Sequence, residues 1–197
     1  HQNDGHQKMT SYIAYIKLVK LTDNEVKEIK QERKNNNNKR LIGMNDAHGL
    51  YYWKRVDSKT GILEDIEPYR NTDFDKLYWC MGSGGDICTY PTKVGKVYGE
   101  DLEIFPRPGD RDIAESMKIL RSKDIDSMKT AIEYAKNIGI KIYLSQRMGA
   151  FACNPPWDGI FTSDFYKNNP NLRCRDRDGS KVSRLSYAYK EVQDHCI

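Results

Sequence analysis

The sequence has few apolar residues and no long apolar run, which excludes several classes of protein. Only 38% of its 197 residues are hydrophobic, and no stretch approaches the roughly 20 apolar residues that a membrane-spanning helix needs. No signal-peptide core is visible at the N-terminus, where HQNDGHQKM resembles a chain cut from a longer one. We therefore predict no membrane partner and leave the compartment open, cytoplasmic or exported.

Regular cysteine spacing is also missing. The five cysteines stand at positions 80, 88, 153, 174 and 196, an odd number without a CxxC pair. Because a chain of this length can bury a core without covalent staples, free thiols are favoured over a disulfide framework. No histidine stands near them in zinc-ligand spacing. We predict neither a metal nor a cofactor.

Most of the chain lacks an excess of basic charge. Residues 1–40 contain nine Lys and Arg against five Asp and Glu, whereas residues 41–197 contain 23 of each. The formal net charge of +4 therefore lies in the N-terminal forty residues. Binding to nucleic acid requires a basic face that displaces the counterions of the phosphates, so we predict no nucleic-acid partner.

The N-terminal region predicts two helices. Apolar residues recur at helical spacing over residues 9–20, although their β-branched content leaves a strand possible. Thr22 and Glu25 then form the pattern of a capping box, which predicts a helix over residues 23–34. The run of asparagines from residue 35 to 38 ends it. We interpret residues 1–38 as an N-terminal helical appendage.

Short apolar runs alternate with amphipathic stretches from residue 39 onward. This alternation predicts βαβ units and a parallel sheet. We expect Gly82–Gly85 to be a flexible turn, because it lacks the spacing of a phosphate-binding loop, and Asp178–Gly179 to be the turn of a hairpin over 172–184. The predicted strands are 40–44, 76–81 and 140–144, and the predicted helices are 62–69, 112–120, 125–137, 163–168 and a final one after Tyr189.

Three ordered segments carry a resemblance to a known family. They are NIGIKIYLSQRMGAF, SDFYKNNPNLRCRDRDG and RLSYAYKEVQDH, over residues 137–195. Together they resemble the N-terminal part of bacterial glycoside-hydrolase-like proteins with a TIM-barrel domain. Leu172 replaces an aromatic residue of that pattern, and Lys190 replaces a proline.

The resemblance implies an α/β fold, a partial (β/α)8 barrel with roughly the first three to four βα units. The domain would occupy residues 39–197 and be truncated at its C-terminus, since a full barrel needs about 250 residues. It also implies a carbohydrate substrate and catalytic carboxylates that lie beyond this chain.

Polar residues at predicted strand ends are the first candidates for a site, because barrel enzymes bind substrates there. Arg147 follows the third strand, where a guanidinium could bind a carboxylate or sugar hydroxyls; a structural salt bridge is the alternative. Asn45 and Asp46 follow the first strand, with capping of the next turn as the alternative. Asp46 is the candidate catalytic carboxylate, but glycosidic cleavage needs two.

Aromatic residues are the candidates for stacking on sugar rings. Phe151 and Trp157 stand in a long loop, where an aromatic side chain has few structural roles. Trp79 lies near the end of the second strand, and a place in the core is the alternative. Tyr187 could bind substrate or pack in the interior, and the sequence does not decide.

These features predict a carbohydrate-active protein. The first hypothesis is a glycoside hydrolase that works by acid/base catalysis. The second is a non-catalytic carbohydrate-binding or structural barrel, in which the aromatic residues and Arg147 bind sugar. A barrel enzyme that uses a phosphate or a metal is the third, although its signature loops are not seen in the sequence.

Overall fold

The computed structural model describes residues 13–35, 39–148 and 155–196. In chain order its strands are β1 (Leu41–Asn45), β2 (Phe74–Cys80), β3 (Gly82–Gly84), β4 (Ile87–Cys88), β5 (Lys96–Val97), β6 (Lys141–Ser145), β7 (Arg173–Arg175) and β8 (Lys181–Leu185). Its α-helices are α1 (Asp23–Lys34), α2 (Gly49–Trp53), α3 (Lys59–Leu63), α4 (Pro108–Ser122), α5 (Ser127–Asn137), α6 (Asp158–Phe161), α7 (Asp164–Asn168) and α8 (Lys190–Cys196).

The N-terminal region contains one of the two predicted helices. Helix α1 begins at the predicted capping box, in which the Thr22 hydroxyl accepts from the backbone N–H of Glu25. The helix predicted over 9–20 is wrong for residues 13–20, which have no regular secondary structure and are exposed; residues 9–12 lie outside the described ranges. The β-branched residues of this segment disfavour a helix that packs on nothing.

A parallel sheet forms the centre of the molecule, as the alternation of patterns predicted. Its strand order is β1-β2-β6, and β2 pairs in parallel with both neighbours. The helices between these strands pack in pairs, α2 against α4 and α3 against α5. The predicted boundaries of α4 and α5 differ from the observed ones by a few residues, which is usual where helix ends fray.

The two faces of this sheet have different environments. Leu77 of β2 is fully buried and lies in register between Gly43 and Ile142, on the face that joins the main hydrophobic core. Tyr78, the next residue, lies between Met44 and Tyr143 on the opposite face. Met44 is 75% exposed there, so this second face is largely open to solvent.

Gly82–Gly85 is not the flexible turn that the sequence suggested. Residues 82–84 form β3, which is buried and pairs antiparallel with β4, and β5 completes this small sheet. A Cβ on Gly82 would stand 2.6 Å from the carbonyl oxygen of Ile87. Glycine is therefore required here for close backbone approach rather than for flexibility.

The C-terminal region forms a separate small layer. The predicted hairpin is confirmed: β7 and β8 pair antiparallel, and Gly179 occupies its turn with φ of 85°. The helix predicted over 163–168 is also confirmed, with the Ser163 hydroxyl as its N-cap. A second apolar cluster holds this layer together, consisting of Tyr166, Leu172, Leu185 and Val192.

The partial (β/α)8 barrel is wrong for this structure. The described residues form three sheets of three, three and two strands, and none of these sheets closes. After β2 the chain builds the separate β3–β5 sheet, and after β6 the next strands pair with each other. In the described part of the chain the central sheet therefore has two unpaired edges, at β1 and β6, and no further parallel strand extends it.

Candidate functional site

Three strand ends meet at one edge of the central sheet. The parallel register places Asn45 beside Trp79 and Cys80 beside Ser145, so the residues that follow each strand emerge together. Ligands of open α/β sheets bind outside the carboxyl ends of the strands. We therefore expect a site at this edge, although the described residues form no barrel.

Asp46 and Arg147 form an ion pair across this edge. The Arg147 guanidinium donates from Nη2 to Asp46 Oδ1, although the two residues follow strands that are not neighbours in the sheet. Both side chains are about half exposed, so the pair contributes little to stability, about 1 kcal/mol or less. Its cation and carboxylate are instead accessible to a polar ligand.

The side chain of Asn45 makes hydrogen bonds within the protein. Its Oδ1 accepts a hydrogen bond from the backbone N–H of Ala47 at 2.7 Å, and its Nδ2 donates to Asp65 Oδ2 at 2.8 Å. The first bond supports the turn in which Ala47 has φ of 58°. Asn45 therefore positions Asp65 and the turn at Asp46, which is a different role from direct substrate binding.

Asp65 is a second carboxylate at this edge. It follows α3, and its burial raises the pKa of the carboxyl group, while the hydrogen bond from Asn45 acts in the opposite direction. Asp46 and Asp65 thus differ in environment, one beside a guanidinium and the other desolvated. Acid/base enzymes commonly hold two carboxyl groups in such contrasting surroundings.

An open cleft of about 680 Å³ is lined by Asn45, Asp46 and Asp65, whereas Arg147 is not among its lining residues. Trp53, at the end of α2, is 82% exposed and presents its indole on this cleft. An aromatic ring beside carboxylates and an amide is the arrangement that can stack on a sugar ring and bond its hydroxyls. The lining side chains are Met44, Asn45, Asp46, Leu50, Trp53, Lys54 and Asp65, together with Gly49.

The other aromatic candidates lie elsewhere. Trp79 is 4% exposed and belongs to the core, so its packing leaves no ring face for a sugar. Trp157 packs against the same core, with the Arg107 guanidinium 5.3 Å from its ring centre. Tyr187 packs against the C-terminal cluster, with its hydroxyl 4.0 Å from Cys196 Sγ. Phe151 lies outside the described residues.

Sequence reasoning did not identify Trp53 or Asp65. The only local signal for Trp53 was its position shortly after a strand end, in the run GLYYW that forms α2. Asp65 enters the site through a hydrogen bond from a residue 20 positions away. A single sequence does not show that contact.

Comparison of the chain with known proteins does not identify a function for this site. No protein-family model matches the chain, and no curated protein matches its sequence significantly. The resemblance to glycoside-hydrolase-like proteins therefore stays a prediction.

Two further features are not found in the described part of the chain. Within the described ranges, no helix has the length and apolar character to cross a membrane. No group of three or more His, Cys, Asp or Glu side chains among those residues is placed to hold a metal ion.

Proposed function

We propose that this chain is a carbohydrate-active protein that binds glycan in the strand-end cleft. The observation that supports this most is the exposed indole of Trp53 in one cleft with Asp46, Asp65 and Lys54. Sugars present apolar ring faces and many hydroxyl groups, and a tryptophan with nearby carboxylates and a cation complements both. The open form of the cleft suits a chain of sugar units better than an enclosed small molecule.

Replacing Trp53 with alanine is expected to weaken glycan binding at least tenfold, because the stacking surface is removed. Binding is measured by titrating soluble oligosaccharides of cello-, chito- and malto-type and following tryptophan fluorescence or heat. Since the Trp53 ring is largely exposed, its removal should leave the unfolding midpoint nearly unchanged.

Tyr189→Ala is the matched control for this experiment. Tyr189 is an exposed aromatic in the C-terminal layer and should not affect binding. An equal loss in both variants, or no saturable binding of any oligosaccharide, would contradict the proposal.

Glycoside hydrolysis is the second candidate, and the environment of Asp65 favours it. A general acid must be protonated to donate to the leaving oxygen, and burial raises the pKa of Asp65. Asp46 would then be the second carboxylate, as base or nucleophile. A chain that binds glycan without turnover would instead be a non-catalytic carbohydrate-binding protein.

Asp65→Asn is expected to lower the hydrolysis of aryl glycosides by a factor of about 100 or more, the usual contribution of a general acid. Glycan affinity should be retained, because asparagine keeps the hydrogen bond from Asn45. Activity of the unmodified protein should fall as the pH rises through the raised pKa of Asp65, since the acid form is then lost. Turnover that is unchanged in Asp65→Asn would exclude this role.

A further inference from the structure

A second cavity, which we call the aromatic cavity, adjoins the strand-end cleft. Its volume is about 270 Å³, and it shares two lining residues with the cleft, Gly49 and Trp53. Because Trp53 is 82% exposed and lines both spaces, it stands at the boundary between them. The remaining lining residues belong to the aromatic cavity and not to the cleft: His48, Tyr52, Tyr98, Arg107, Asp110, Ile113 and Phe161.

Ring contacts hold the aromatic side chains of this cavity in place. Tyr52 meets Trp53 edge to face, with ring centres 5.1 Å apart and planes at 86°. Tyr98 meets Phe161 in the same way at 5.7 Å, and the Arg107 guanidinium lies 5.1 Å from the ring centre of Tyr52. Rings that are already fixed lose little conformational entropy when a ligand binds. The cavity is therefore pre-organised for a ligand with apolar faces.

The polar groups of the aromatic cavity favour a neutral ligand with hydroxyl groups. Arg107 is already paired with Asp110, to which it donates hydrogen bonds at 2.8 and 2.9 Å. The Asp110 side chain is fully buried, whereas that of Arg107 is 45% exposed. Burial lowers the pKa of His48, so its imidazole is neutral at pH 7. Its Nδ1 lies 2.9 Å from the carbonyl oxygen of Asp46, which can only accept, so Nδ1 donates and Nε2 is left as an acceptor.

We propose that the aromatic cavity binds a second unit of the glycan, so that a chain of sugars runs from the strand-end cleft over Trp53 into this space. The inference rests on the glycan binding proposed above and specifies its substrate class, a neutral oligosaccharide rather than a single sugar. The volume of the aromatic cavity equals that of about nine water molecules at about 30 Å³ each, which is room for one sugar ring with its hydroxyl groups.

The length of the oligosaccharide is the variable that tests this arrangement. Cello-, chito- and malto-oligosaccharides of one to six units are titrated into the full chain, and affinity is measured by heat. Affinity should rise by about tenfold or more at the length that first reaches both spaces, because further aromatic rings are then contacted. Amide shifts in two-dimensional NMR should spread at that length from Lys54 and Asp65, which line only the cleft, to Ile113 and Phe161, which line only the aromatic cavity.

Two variants remove a ring from the aromatic cavity. His48→Asn keeps an amide N–H for the carbonyl oxygen of Asp46, and Phe161→Leu keeps an apolar side chain. Each should reduce the gain with chain length to about threefold or less, while the shortest oligosaccharide that binds keeps its affinity. Phe165→Leu is the matched control, since Phe165 is also partly buried but stacks on His195 in the C-terminal layer. It should keep the whole gain.

The outcomes separate this inference from the glycan proposal itself. The second sugar site is excluded, with glycan binding in the cleft intact, if affinity does not rise with length, if His48→Asn and Phe161→Leu keep the gain, or if Phe165→Leu loses it equally. It is also excluded if the longer oligosaccharides leave the amides of Ile113 and Phe161 unshifted. If no oligosaccharide of any length binds, the glycan proposal fails and this inference fails with it.

Discussion

Replacing Asp110 with alanine is expected to lower the free energy of unfolding by about 2 to 4 kcal/mol, from lost charge-assisted hydrogen bonds and an unsatisfied buried hydroxyl. Asp110 is fully buried near the start of α4. It accepts a hydrogen bond from the Tyr98 hydroxyl at 2.9 Å and two from the Arg107 guanidinium, at 2.8 and 2.9 Å. Alanine leaves the buried Tyr98 hydroxyl without this partner.

The same change should also affect the strand-end cleft, to which we propose that glycan binds. The Arg107 guanidinium lies 5.1 Å from the ring centre of Tyr52, the neighbour of Trp53 in α2. Gly109 lets α4 approach α2 closely, since a Cβ there would stand 2.4 Å from the Tyr52 ring. Without Asp110 the guanidinium is no longer fixed over this ring. We therefore expect weaker packing of α2 and reduced glycan affinity together.

Asp112→Ala provides the control on the same helix. Asp112 bonds Arg55 at 3.2 Å at the surface, and Arg55 also pairs with Glu115. The Asp112→Ala change should lower the free energy of unfolding by at most about 1 kcal/mol, as for other exposed ion pairs. Urea denaturation of both variants measures the difference. An Asp110→Ala protein within 1 kcal/mol of the unmodified one would contradict the buried network.

Features that depend on neighbouring residues could be predicted from the sequence. The strands β1, β2 and β6 follow from short apolar runs, and the start of α1 follows from a capping box that two residues define. The hairpin turn at Gly179 needs only a residue that tolerates positive φ. Each of these signals lies within a few positions of the element that it specifies.

Features that depend on contacts between distant residues could not be predicted from the sequence. The buried strand β3 was taken for a flexible turn, because its order comes from pairing with β4 and not from its own glycines. The partial (β/α)8 barrel is implied only by the resemblance to other proteins, and the growth of a sheet depends on which strands pair, information that no local pattern holds. Asp46 and Arg147 were each placed at a strand end correctly, but their ion pair spans 101 positions.

The candidate site likewise has some features that follow from local sequence and others that depend on distant contacts. Strand-end position predicts that Asn45, Asp46 and Arg147 lie at one edge of the sheet, where the structure has them, and their roles in binding stay predictions. Exposure distinguishes the tryptophans, and the sequence does not show it: Trp79 is 4% exposed among core residues, whereas Trp53 is 82% exposed. Trp157 stands in a loop but is partly buried, because it packs against the core and Arg107 lies over its ring.

Leu77→Ala is expected to lower the free energy of unfolding strongly, because the two faces of the central sheet have different environments. Leu77 is fully buried between Gly43 and Ile142, so truncation leaves a cavity and should cost about 2 to 5 kcal/mol. Tyr78→Ala, one position along the same strand, should cost only about 1 kcal/mol. Its ring stacks on Tyr143, with centroids 5.6 Å apart, and an aromatic pair adds about that much.

This comparison decides which face of the sheet is the core. Both variants replace a large side chain of β2 with alanine at adjacent positions, so the strand and the new residue are the same, whereas the environment of the removed side chain differs. Urea denaturation at several protein concentrations gives the two free energies. A cost for Tyr78→Ala as large as that for Leu77→Ala would mean that the Met44 and Tyr143 face is covered in solution. If that large cost also grew with protein concentration, a second copy of the chain would be the cover, because association stabilises by mass action.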